Sequence, residues 1–113
     1  AESGSGSGQQ FEFDGWRLDT AARALTDPDA QAVALTSGEF DLLAAFVRHP
    51  GRVLSRDELM NQLHHRDAGP FDRAIDVQVG RLRRKIESDP ASPRLIKSVR
   101  GAGYLFTGKV RTP

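Results

Sequence analysis

Arg73 to Ile86 reads RAIDVQVGRLRRKI. Advancing about 100° per residue around an ideal helix puts Ile75, Val79, Leu82 and Ile86 in one narrow sector. Arg73, Val77, Gly80 and Arg84 fall in the opposite sector, with Arg81 on its flank. The stretch therefore predicts a helix that is apolar behind and basic in front. Asp72 can cap it by accepting from the first orphan amides, and Asp89-Pro90 closes it after about Glu87. The expected helix spans residues 72–87.

The basic face has a chemistry it would suit. An α-helix fits the major groove of B-DNA, where a guanidinium can bond guanine bidentately and an apolar side chain can touch the thymine methyl. Arg73, Val77 and Arg81, spaced by four, supply those groups. Val77 is the informative member, since a purely solvated face has little reason to hold a β-branched apolar residue between arginines; a contact with the preceding loop would explain it equally well. Arg83 and Lys85 suit a solvated face that at most touches phosphates, and Gln78 suits either role. Asp76 would repel DNA, so it is expected to pair with a nearby arginine and fix its direction. Residues 73–100 hold eight Lys/Arg against three acids, a net of +5, which leaves −4 for the rest of a chain whose formal charge is +1. A basic surface on an acidic body suits a polyanion and discourages indiscriminate binding. A solvated helix face is the plainer account of the same charges.

Upstream of this helix, His64 to Phe71 (HHRDAGPF) contains Gly69-Pro70 and reads as a loop. Two earlier helix starts carry the same pair of devices. Ser55 and Glu58 have capping-box spacing with Leu54 and Leu59 as staple, opening a helix through Leu63. Thr36 and Glu39 have it with Leu35 and Phe40, followed by an apolar stripe of Phe40, Leu43, Ala44 and Val47 that Pro50-Gly51 ends. A short turn is expected between these two helices. Before them, Phe11–Phe13, Trp16–Leu18, Arg23–Leu25 and Val33–Leu35 are short apolar pieces broken by turn residues, with Asp14-Gly15 as a hairpin signal, and predict a small antiparallel sheet. Downstream, Leu95–Val99 and Tyr104–Phe106 are joined through Arg100-Gly101-Ala102-Gly103 and predict a second hairpin with Arg100 at its tip. Ala1 to Gln10, AESGSGSGQQ, reads as flexible linker or cloning remnant and is set outside the fold, leaving 11–113 as one α+β domain.

Composition narrows the function. Hydrophobic residues at 38% and charged residues at 27% are ordinary for a globular chain with a packed core. No apolar run nears the roughly 20 residues that span a bilayer, and no signal segment opens the chain, so neither membrane nor secretion is expected. The absence of cysteine excludes disulfides and thiolate metal sites and suits a reducing cytoplasm. A metal site at His64 and His65 would need further ligands that this sequence offers sparsely, and no Ser-His-Asp arrangement is visible, while Asp57-Glu58 belongs to a helix start. The Gly101-Ala102-Gly103 tip precedes a strand, whereas phosphate-binding glycine loops open a helix. No enzyme, metal or cofactor is expected.

RAIDVQVGRLRRKI, followed by LIKSVRGAGYLF and preceded by LTSGEFDLLAAF and GRVLSRDEL, resembles the C-terminal effector domain of OmpR/PhoB-type response regulators over Phe11 to about Thr107. The resemblance implies a winged helix-turn-helix: a four-stranded N-terminal antiparallel sheet, three helices and a C-terminal β-hairpin wing. It also implies sequence-specific binding of double-stranded promoter DNA, with the third helix in the major groove and the wing, about 95–107, over the minor groove. Carried over, Arg73, Val77 and Arg81 face bases, Gln78, Arg83 and Arg84 lie nearer the backbone, and Ser98, Arg100 and Tyr104 are wing contacts to sugar and phosphate. Gly80 stands where other members can carry a basic or polar residue, so any contact made there is lost. The loop His64, His65, Arg66, Asp67, Ala68, Gly69, Pro70 and Phe71 corresponds to the segment by which some members contact RNA polymerase, and a module acting only through that loop is the rival expectation. The family further implies an N-terminal receiver domain, for which 113 residues leave no room, and a second copy on repeated half-sites. Trp16 would fill the core or the seam with such a receiver.

Overall fold

The computed structural model describes residues 9–62, 75–89 and 91–112. Strands β1 (Gln10–Phe13) and β2 (Trp16–Asp19) form the first hairpin, with Phe13 opposite Trp16. Its two loop residues, Asp14 and Gly15, both have positive φ, the conformation that joins twisted strands through two residues and that Asp-Gly adopts most readily. Strands β3 (Ala24–Thr26) and β4 (Ala32–Val33) continue the antiparallel sheet. Phe11, Phe13, Leu18 and Leu25 are buried on its inner face.

The sheet has five strands, not four. β8 (Val110–Arg111) returns from the C-terminal end to pair with β1, giving the order β4-β3-β2-β1-β8. A two-residue strand has no periodicity to read, so only the pairing partner reveals it. The stretch set aside as linker also runs too far. Gln10 lies in β1 opposite Asp19, and the Gln9 amide donates to Thr20 Oγ1 at 2.7 Å.

Helix α1 (Ser37–Arg48) begins with both halves of the Thr36–Glu39 capping box in place. The Glu39 amide donates to Thr36 Oγ1 at 3.2 Å and the Thr36 amide to Glu39 Oε1 at 2.9 Å. Every residue from Glu39 to Val47 is buried, so the expected stripe is narrower than the covered surface. A helix covered almost all round is a central element. Helix α2 (Arg56–Gln62) opens with the second box: the Glu58 amide donates to Ser55 Oγ at 3.0 Å and the Ser55 amide to Glu58 Oε1 at 2.9 Å. Between α1 and α2 lies a further short strand, β5 (Val53–Leu54), where a turn alone was expected. It pairs with β7 (Gly103–Phe106), which pairs with β6 (Ile96–Val99), so the C-terminal hairpin belongs to a three-stranded sheet ordered β5-β7-β6.

Gly103 shows why the strand crossing tolerates no side chain. Its φ is +139°, and a Cβ there would stand 2.0 Å from the Leu54 carbonyl oxygen. The core joins both sheets across α1: Phe106 meets Phe13 edge-on at 5.2 Å and stacks on Phe46 at 6.3 Å. Trp16 is half-buried, stacks on Phe13 at 6.4 Å and lines an open cavity of about 320 Å³ with Arg17 and Pro28. No helix among the described residues is long and apolar enough to cross a membrane.

Candidate nucleic-acid interface

Helix α3 is described over Ile75–Ile86. Its expected inner row is sealed: Ile75, Val79, Leu82 and Ile86 are each at most 3% exposed. Its expected outer row is open. Val77 is 47% exposed, Arg81 and Arg84 are exposed, and beyond the helix's own backbone no described residue lies within 4 Å of a Cβ placed on Gly80. Arg73 and the loop His64 to Phe71, with its His64-His65 pair, lie outside the described residues.

Two flanks hold α3 in place. On the α1 side, Gln78 is only 4% exposed, and its carboxamide occupies the space a side chain on residue 38 would need. This corrects the expectation that Gln78 reaches a nucleic-acid backbone: about 100° of rotation from Val77 turns it from the open row to the α1 flank. Lys85 is likewise not a free surface cation. Its Nζ donates to Glu39 Oε1 at 2.6 Å and to the Ala34 carbonyl at 2.8 Å. Burial alone would push the Glu39 carboxyl up, but the Lys85 ammonium and the Thr36 amide outweigh it and hold it below its ordinary range.

On the wing side, Arg83 donates through Nε and Nη2 to the Ile96 carbonyl at 3.2 and 2.8 Å, and through Nη2 to Ser98 Oγ at 3.0 Å. Arg83 therefore braces β6 against α3, where a free backbone contact was expected. Tyr104 is also corrected: it is 6% exposed and its hydroxyl donates to Asp76. Asp76 does orient an arginine, as expected, but that arginine comes from α2. Arg56 Nε donates to Asp76 Oδ1 at 3.0 Å. Together the Tyr104 hydroxyl and Arg56 hold the Asp76 carboxyl below its usual range, while burial and then Asp76 raise the Tyr104 phenol. The Arg56 and Arg83 guanidinium groups lie 5.9 and 5.6 Å from the Tyr104 ring centre, within cation–π range.

Arg56 is one residue that sequence reasoning missed. A signal was present, since a cation in the first turn of a helix opposes the macrodipole and asks for a partner elsewhere. Glu87 was also missed. Buried at the end of α3, its carboxylate accepts from the amides of Arg94, Leu95 and Ile96 at 2.8 to 3.1 Å and fastens the start of the wing. Arg100 is exposed at the β6–β7 turn and Ser98 is exposed on β6, where both were expected.

The charge pattern sharpens around these elements. Among the described residues, Arg17, Arg23, Arg52, Arg56, Lys85 and Arg111 each have a carboxylate within 4 Å. Arg81, Arg83, Arg84, Arg94, Lys97 and Arg100 have none among those residues, and of the other described cations only Arg48 and Lys109 share that condition. Uncompensated positive charge is gathered on the outer face of α3 and the adjoining wing.

A helix pair leading to an exposed α3, with a β-hairpin beside it, defines a winged helix-turn-helix effector domain of the OmpR/PhoB type. The chain belongs to the family described as transcriptional regulatory protein, C terminal, whose model matches residues 30–106. It is 50% identical over 109 residues to the transcriptional regulatory protein AruR of Pseudomonas aeruginosa, covering 95% of this chain and 45% of that protein. The chain thus spans less than half the length of that relative. Among solved structures it is similar to the C-terminal effector domain of BfmR from Acinetobacter baumannii, at 40% identity and TM-score 0.75, covering 88% and 90% of the two chains. It is also similar to the RstA DNA-binding domain of Klebsiella pneumoniae, solved in complex with the RstA box, at 31% identity and TM-score 0.73, covering 87% and 96%.

Proposed function

We propose that this domain binds duplex promoter DNA sequence-specifically as the output module of a cytoplasmic two-component regulator. The observation that carries the reading is the open row of α3, where Val77, Arg81 and Arg84 stand exposed with no carboxylate among the described residues within 4 Å of either arginine. In this reading Arg81 and Val77, with Arg73 ahead of them, meet base edges in the major groove. Arg84, Ser98 and Arg100 meet backbone or the adjacent minor groove. The RNA polymerase loop, the receiver domain and a second copy on repeated half-sites are parts of the same proposal. Their support is the family alone.

Selection of bound sites from a random duplex library tests it. One preferred half-site, or two at helical spacing, is expected. On the selected duplex, Arg81→Ala should weaken binding by about 1 to 3 kcal/mol and relax preference at one base pair. Arg100→Ala should weaken all sequences alike and make the dependence of log K on log salt shallower by about 0.9. A parent domain that selects no sequence, or binding insensitive to both variants, would sink the proposal.

A further inference from the structure

The wing's outer edge carries a second cationic surface that the base-reading helix does not explain. Beyond α3 the loop 91–94 and strand β6 enclose an open concavity of about 590 Å³ lined by Arg83, Ser92, Arg94, Lys97 and Ser98. Its lining contains three cations and no acid. The nearest acids in sequence are turned elsewhere: Glu87 accepts from three backbone amides, and Asp89 Oδ1 accepts from the Ala91 amide at 3.1 Å. Arg94 is held at both ends of its peptide unit, its amide donating to Glu87 and its carbonyl accepting from Thr107, while its side chain is exposed. Lys97 follows the buried Ile96 on β6 and is exposed as well. A hydrogen-bonded backbone therefore presents two long cations, with no carboxylate partner among the described residues, beside two hydroxyls, which suits successive anionic oxygens along a strand.

We infer that this concavity takes backbone phosphates of the duplex beyond the wing, so that the DNA track continues past the half-site over Arg94 and Lys97. The inference rests on the reading of the domain as a duplex-binding module. Arg83 joins the two surfaces, because it braces β6 from α3 and lines the concavity at once. Contacts of this kind carry no sequence information, but each adds to affinity and to its salt dependence.

The test uses the full chain and its selected half-site in two duplexes, one extending about a helical turn past the wing and one ending there. Parent protein should prefer the longer duplex. Arg94→Ala/Lys97→Ala, checked to melt as the parent does, should bind the longer duplex on the order of tenfold more weakly at low salt. Its salt slope should be shallower by about 0.9 for each phosphate no longer neutralised. On the shorter duplex it should match the parent. Lys97→Glu should enlarge the loss on the longer duplex only. If the variants bind both duplexes with the parent's affinity and slope, as they would were an acidic protein the true partner, the inference is overturned while DNA binding stands. Equal losses on both duplexes also overturn it. A parent that binds neither duplex in a salt-dependent way overturns the underlying reading itself.

Discussion

Gly80 is a residue whose cost is visible and whose structural reason is not. It stands inside α3, where glycine is less favourable than alanine, yet beyond the helix's own backbone an added Cβ would meet no described residue within 4 Å. Gly80→Ala should therefore raise stability by about 0.5 to 1 kcal/mol, seen as a higher midpoint in urea. An unchanged or lowered midpoint would mean that the helix backbone there is crowded by something the fold does not reveal. Gly103 gives the opposite case, since its neighbour is the Leu54 carbonyl and any side chain must part β5 from β7. The fourfold spacing of Arg73, Val77 and Arg81 could be read from the chain alone because helical rotation is local. That Gln78, one residue from Val77, is packed against Gly38 depended on where α1 lies.

At the scale of the element, α3 is a helix with different partners on each side. Its inner row meets the core, its α1 flank is tied by Lys85 to Glu39, and its wing flank by Arg83 to Ile96 and by Asp76 to Arg56 and Tyr104. Its end is fastened by Glu87. Replacing Glu87 with alanine strands the amides of Leu95 and Ile96, which are buried residues, and should destabilise the domain by about 2 to 4 kcal/mol in urea denaturation. Glu87→Gln keeps one acceptor oxygen and should lose less. Equal stability of all three proteins would show that the loop finds other partners. The short strands β5 and β8 teach a related lesson: two residues give no alternation to count, and each exists because a longer strand offers its edge.

At the scale of the whole molecule, α1 joins the two sheets and is itself coupled to α3, and the acid response should expose that second coupling. Glu39 joins α1 to α3, and its folded-state carboxyl lies below the ordinary 4.5, so the unfolded chain takes up a proton first. Its contribution is therefore complete above pH 4.5 and is lost as pH falls through the lower folded value. Asp76, lowered from 3.8, adds a window that begins further into acid. Glu39→Gln should flatten the fall in melting temperature on acidification below pH 4.5; a curve parallel to the parent's would refute the coupling. By itself the sequence determined what is local: two capping boxes, the Asp14-Gly15 turn, the two-sided third helix and the excess of positive charge after residue 72. Those features arise from neighbours within a turn or a hairpin, where spacing stands in for distance. Only the tertiary structure decided which cations are spent and which remain uncompensated, because Lys85 meets Glu39 from 46 residues away and Arg56 meets Asp76 from 20. An ion pair across elements has no period to announce it, so the open cationic surface is what remains after packing has claimed the rest.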